Sequence, residues 1–261
     1  MERLRELTAP RWATSLALAV LAVAVSVGAY KVVTKDRSVH PGRGPVSLGS
    51  LSASPTAPRI RAVFFGDAIV AGANAGRGNP TFCDVSSHLL GWSDSLFGYP
   101  GSGYTTAGAF RGGRDYLARI QQLRGYSVDV VVIEGGRNDV GAPLAALRDQ
   151  AGKVIRAARL LVPRARLVLM GPYSVVATPP AALVAADATL RDLAAADGIP
   201  YVDPLAEQWI TGGTQAGAVG GSYIASDGLY PNAAGHDYFG HRLAEDLTHL
   251  LPHQLVPGPG A

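Results

Sequence analysis

Four short turns concentrate the glycine and polar residues of this chain. They are Gly66-Asp67-Ala68, Gly98-Tyr99-Pro100-Gly101-Ser102-Gly103, Gly135-Gly136-Arg137-Asn138-Asp139 and Asp227-Gly228-Leu229-Tyr230-Pro231-Asn232. Between them they offer carboxylates, hydroxyls and two amides, groups able to move protons or fix a polar ligand. Other chemistries find less support. Gly101-Ser102-Gly103 lacks the third glycine and the acidic partner of a dinucleotide loop, so no nucleotide cofactor is expected. Cys83 is the single cysteine, which excludes an intramolecular disulfide and a cysteine-rich metal site. It is expected in the core. His241, His249 and His253 fall on or just past the terminal helix and read as a solvated face, so no metal is expected. Within the turns, Asp67 is expected to support its own turn by hydrogen bonds. Glu134 and Arg137 are expected to form a local ion pair, and Asp139 to cap the loop that follows it.

Those turns must be held by regular elements. Short apolar runs ended by Gly, Pro or an acid predict strands over 60–65, 95–97, 128–134, 167–171 and 201–203. Helices are predicted between them. One covers 80–90 with Pro80 at an N1-like position. Others cover 114–124 and 143–161, with apolar residues at three- and four-residue steps. An Ala-rich helix covers 180–196 and stops at Gly198-Ile199-Pro200, and a last helix covers 233–251. Strands alternating with helices imply a parallel sheet covered on both faces. In such sheets the ligand site lies beyond the carboxyl ends of the strands, which is where the four turns fall. The expected fold is α/β: a flavodoxin-like three-layer α/β/α sandwich with a five-stranded parallel sheet.

In order and spacing, the turns resemble the four motif blocks of the SGNH (GDSL) hydrolases, a family of esterases and lipases. The resemblance runs from Arg59 to Leu251. Gly136-Arg137-Asn138-Asp139 is its most specific part, and the stretch from Asp227 to His236 is nearly as specific. The resemblance implies a serine nucleophile directly after the first strand, a histidine base, and an aspartate three residues earlier that orients it. It also implies an oxyanion hole built from the nucleophile's N–H, a glycine N–H and an asparagine side chain. Asn138 matches the asparagine donor and Asp227 the triad aspartate. Gly101 matches the glycine donor. Gly98 is the alternative, because Leu96 stands near the place of that block's usual asparagine. Asp67, Ser102 and Arg137 would line the same site.

Two positions depart from the pattern. The first block reads Gly-Asp-Ala-Ile, so Ala68 stands at the nucleophile position. The last reads Asp-Gly-Leu-Tyr-Pro, so Tyr230 stands at the general-base position. Ala68 has no nucleophilic atom, and a phenol with an ordinary pKa near 10 is a poor base at neutral pH. In a serine protease, losing either group costs roughly 10⁶-fold, and the remaining ~10³–10⁴-fold comes from the oxyanion hole and binding. Natural loss of catalysis accounts for both departures. An engineered Ser→Ala exchange accounts for Ala68 and leaves Tyr230 unexplained. Rerouted chemistry would use Ser102 or Ser226 as nucleophile and His236 as base, although a structural role suits His236 better. The favoured expectation is a non-catalytic binding or accessory module for acylated envelope glycans or lipids, with no cofactor. A membrane acyltransferase is the partner such a role implies. The alternative is a serine esterase or acyltransferase acting on O-acyl substrates.

The chain has 261 residues, of which 48% are hydrophobic and 16% charged, so it can bury a sizeable core and is not globally disordered. Its net charge of +3 is unevenly placed. Residues 1–58 hold seven basic and three acidic groups, whereas 59–261 hold 16 basic and 17 acidic ones. The folded part therefore has no electrostatic footprint for nucleic acid. Residues 12–30 are 19 uncharged residues between basic flanks, roughly 28 Å as a helix and enough to cross one hydrocarbon core. The sequence thus predicts a signal anchor or transmembrane segment over 1–34 and a flexible Ser/Gly/Pro linker over 35–58. The catalytic-fold domain is predicted over 59–253 and a disordered tail over 254–261. The domain is expected outside the cytoplasm, held by a single membrane pass. Secretion after cleavage near Ala29 is the alternative.

Overall fold

The computed structural model describes residues 59–108, 112–210 and 223–256. The expected membrane segment and linker lie outside these residues. Among the described residues no helix is long and apolar enough to cross a membrane.

Five runs form the strands β1 (Arg61–Gly66), β2 (Ser93–Gly98), β3 (Val130–Glu134), β4 (Arg166–Met170) and β5 (Tyr201–Val202). They pair in the order β2-β1-β3-β4-β5, and every pairing is parallel. Side chains alternate between two faces, and both faces are buried. Ala62, Phe64, Val130, Val132, Val168 and Met170 point to one core. Val63, Phe65, Val131, Ile133, Leu167 and Leu169 point to the other. Helices α1 (Phe82–Leu89) and α5 (Ala233–Leu250) cover the first face. Helices α2 (Tyr116–Arg119), α3 (Leu144–Leu161) and α4 (Ala181–Ala196) cover the second. The expected three-layer sandwich with a five-stranded parallel sheet is thus observed.

Element ends show where local chemistry decided. Helix α1 starts after Thr81, not at Pro80. The Thr81 hydroxyl accepts from the Asp84 N–H at 3.3 Å, and the Asp84 carboxylate accepts from the Thr81 N–H at 2.7 Å, a reciprocal capping box. The expected helix over 114–124 is shorter: after the Asp115 cap, α2 runs one turn and continues as a 3-10 turn over Ile120–Leu123. The ordered chain extends past the boundary expected at 253. The Trp92 indole N–H donates to the Leu255 carbonyl at 2.6 Å, and Val256 is buried. Cys83 is fully buried, and burial pushes its thiol well up.

The sheet order reverses at β1, between β2 on one side and β3 on the other. That switch point, at the carboxyl ends of the strands, is where open parallel sheets place their ligand crevice. All four turns meet there.

Candidate active site

The turn after β1 is tight. A side chain at Gly66 would collide with Glu134 Oε2 and Val70, each 2.6 Å from its Cβ. Asp67 then shapes the turn, as expected. Its Oδ1 accepts from the Ile69 N–H at 2.9 Å, and its carbonyl accepts from the Ala71 N–H at 3.1 Å. Its Oδ2 accepts from Asn138 Nδ2 at 2.7 Å. Burial raises the Asp67 carboxyl above its usual range, partly offset by the Ile69 N–H. Ala68 comes next and is buried, and its methyl packs with Ala73 and Tyr230 in a small apolar cluster.

The glycine-rich turn follows β2. A Cβ on Gly98 would overlap the Ala71 backbone nitrogen, so Gly98 is required for close packing of the first two turns. Gly101 takes a left-handed φ of +74°. Ser102 is fully buried, and its hydroxyl is committed on both sides. It donates to the Tyr99 carbonyl at 2.8 Å and accepts from Arg119 Nη1 at 2.6 Å. That is a structural hydroxyl, not the substitute nucleophile considered above. Arg119 was not anticipated. Its buried guanidinium also donates to the carbonyls of Gly66, at 3.0 Å, and Phe97, at 2.6 Å. It lies 4.7 Å from the Phe65 ring centroid. It therefore clamps the ends of β1 and β2 to the glycine turn. The available signal was its spacing with Tyr116, Ile120 and Leu123, which puts an arginine on an apolar helix face.

The third turn begins at Gly136, whose φ of +107° swings the chain round. The expected Glu134–Arg137 ion pair is not formed. The Glu134 carboxyl instead accepts from the Asp67 N–H at 3.2 Å, while Arg137 Nη1 donates to the Leu229 carbonyl at 2.6 Å. The Arg137 guanidinium stacks 4.7 Å from the Tyr173 ring and 5.6 Å from the Tyr230 ring. Burial, with Asp67 beside it, pushes the Glu134 carboxyl well above its ordinary pKa. Asn138 donates both amide hydrogens inside the protein, to Asp67 Oδ2 at 2.7 Å and to the Ser102 carbonyl at 2.9 Å. Asp139 caps a loop, but not the one after it. Its carboxylate accepts from the N–H groups of Tyr104 and Thr105 and from the Thr105 hydroxyl, all in the turn after β2.

The last turn closes the crevice. Asp227 Oδ1 accepts from the N–H groups of Leu229 and Tyr230, at 2.8 and 3.3 Å. Its Oδ2 accepts from Asn74 Nδ2 at 2.5 Å, and Asn74 sits in a left-handed conformation, φ +61°. Tyr230 is buried, and the Tyr173 hydroxyl donates to the Leu229 carbonyl at 3.0 Å. Ser226 is exposed. His236 is fully buried with both ring nitrogens used. Nδ1 accepts from the Phe82 N–H at 3.2 Å, and Nε2 faces the Ala73 carbonyl at 2.8 Å, so Nε2 carries the proton. Burial lowers its pKa. It ties α5 to α1 and to the first turn, and it is not available as a substitute base. His241, His249 and His253 are exposed. Among the described residues no cluster of His, Cys, Asp and Glu has the makings of a metal site.

The crevice therefore brings Asp67, Ala68, Gly98, Gly101, Ser102, Arg137, Asn138, Asp227 and Tyr230 to one edge. The GDSL-like lipase/acylhydrolase family profile matches residues 64–238. A GDSL lipase of Mycobacterium tuberculosis is 30% identical over 130 residues, which cover 49% of this chain and 52% of that protein. The match thus spans about half the length of that relative. Among solved structures, a Lactobacillus plantarum protein superposes with a TM-score of 0.60 at 18% identity, covering 76% of this chain and all of that one. A carbohydrate acetylesterase from Sinorhizobium meliloti gives 0.57 at 13% identity, covering 74% of this chain and 100% of that one. The aryl esterase of Mycobacterium smegmatis gives 0.55 at 15% identity, with coverage of 74% and 100%. At these identities the structural likeness establishes the fold alone. The profile match extends across the four turns and the sheet that carries them, and this chain belongs to the GDSL-like lipase/acylhydrolase family.

Proposed function

We propose that this protein is a catalytically inactive member of its family. In this reading it is held outside the cytoplasm by its N-terminal segment and serves as a binding or accessory module for acylated envelope glycans or lipids. One observation carries the proposal: the Ala68 methyl, at the nucleophile position, is buried in one small apolar cluster with Ala73 and Tyr230, the residue at the base position. Neither residue supplies the attacking alkoxide or a base matched to neutral pH. The surrounding polar groups support the same reading. Asn138 spends both amide hydrogens on Asp67 and Ser102, and Asp227 accepts from Asn74 and its own turn. The rerouted alternative loses its buried candidates, because Ser102 and His236 are both fully hydrogen-bonded. The ligand class is carried over from relatives named a lipase and a carbohydrate acetylesterase. A membrane acyltransferase is the partner we infer for an accessory role.

The test is hydrolysis of p-nitrophenyl acetate by the protein, by Ala68→Ser and by the double variant Ala68→Ser/Tyr230→His. We expect background rates for the first two and turnover at least 10²-fold higher in the double variant, the typical contribution of a positioned general base. Substantial turnover by the unmodified protein would overturn the inactive reading and favour an esterase with other catalytic groups.

A further inference from the structure

The edge that carries the crevice also carries a run of exposed apolar side chains. Val140 and Leu144 follow β3 and are 41% and 45% exposed, while Val176 and Val184 follow β4 and are 47% and 45% exposed. β3 and β4 are neighbours in the sheet, and α3 and α4, which follow them, pack on the same face. The first turns of these helices therefore lie side by side at the carboxyl edge. Side chains on a helix lean toward its N-terminus, so Leu144 and Val184 lean out over that edge. Pro143 and Pro180, the cap residues, are exposed beside them. No charged residue occurs between Val140 and Leu147, or between Gly171 and Ala186. Exposed apolar side chains gathered on one edge, in stretches free of charge, are the kind of surface that marks an interaction.

We propose that this rim docks on the surface of the phospholipid bilayer that also holds the N-terminal segment. The inference rests on the membrane-anchor reading above. The chain enters the sheet at Arg61, at the amino edge, on the opposite side of the molecule from the rim. A six-residue strand is roughly 20 Å long at ~3.3 Å per residue, so with its loops the domain stands about 40 Å tall. The 24 residues of the expected linker, 35–58, span at most about 80 Å when extended and about 27 Å as a flexible coil. A tether of that length lets the domain turn over and lay its far edge on its own membrane. It also holds the rim near the lipid at an effective concentration on the order of millimolar, so a weak apolar contact suffices. A docked rim turns the crevice toward acyl groups in the membrane instead of toward solvent.

The test uses the full chain in phosphatidylcholine vesicles. The variants Val184→Cys and Leu160→Cys each carry an environment-sensitive fluorophore on the introduced cysteine, and the native Cys83 is buried and escapes labelling. Leu160, 83% exposed, sits at the opposite end of α3 and serves as the control. We expect lipids bearing a quencher near the headgroup to dim the Val184→Cys probe at least twofold and to leave the Leu160→Cys probe unchanged. Added salt should not alter this, because no charge takes part. Equal responses at both positions would overturn the proposal. A chain that floats with the vesicles while the Val184→Cys probe stays bright would overturn docking and leave the anchor standing. A chain that fails to float would overturn both. A blue shift that grows with protein concentration and ignores the quencher would assign the rim to a second copy and overturn the lipid reading.

Discussion

Ala68 and Tyr230 share one small apolar cluster, and the polar groups around them have partners within the protein. Buried polar groups are rarely left unpaired, and the donors and acceptors of these turns follow that rule. Asp227, expected to orient a base, now latches two turns together through Asn74. His236 shows the same economy with a titratable ring. Its folded-state pKa is lowered, so the folded protein resists protonation that the unfolded chain accepts below about pH 6.5. The stability supplied by its neutral ring is therefore present above that pH and lost as pH falls through the folded value. His236→Gln should cost about 1–3 kcal/mol at pH 7.5, where the Phe82 N–H loses a good acceptor. The gap between the two proteins should narrow at pH 5. Urea midpoints at the two pH values measure this, and a gap independent of pH would exclude the ring as the titrating group.

At the scale of elements, the crevice depends on how closely β2 approaches the turn after β1. Gly98 permits that approach, since any side chain there would enter the Ala71 backbone. Gly98→Ala should cost about 3 kcal/mol or more, at the upper end of overpacking. Gly78→Ala, a left-handed glycine with open space around it, should cost about 1 kcal/mol. Thermal melts of both variants compare the two effects. The strands, the helices and the four turns could be read from the sequence because each is encoded by local periodicity, capping and turn residues. Long-range pairings could not. Glu134 and Arg137 are neighbours in sequence, yet Gly136 turns the chain between them and each finds a distant partner. The target of Asp139, the clamp by Arg119 and the bond from Asn74 to Asp227 likewise depend on how distant segments meet. No spacing rule reports such meetings.

Over the whole molecule, buried and half-buried carboxyls are pushed toward the protonated form. Burial raises Asp187 to about 6 and Asp246 to about 7, the latter with the Glu207 charge close by. Each contributes stability that is fully present below its unfolded pKa and lost as pH rises through its folded one. Asp246 Oδ2 is also buried without a hydrogen-bond partner. Asp246→Asn, which mimics the protonated acid, should raise stability at pH 8 by about 1 kcal/mol, a figure discounted for partial exposure, and by roughly a third of that at pH 5. Denaturation at the two pH values would show it, and destabilisation at pH 8 would contradict it. The contact between Trp92 and Leu255 has a practical consequence for such work. It fixes the carboxyl-terminal end of the domain at the amino edge of the sheet, beside the entry of β1. Both ends of the domain thus leave from the face opposite the crevice. Coupling the protein to a sensor surface through a residue beyond Val256 would point every copy's crevice outward, so candidate glycans and lipids could be screened on an oriented array.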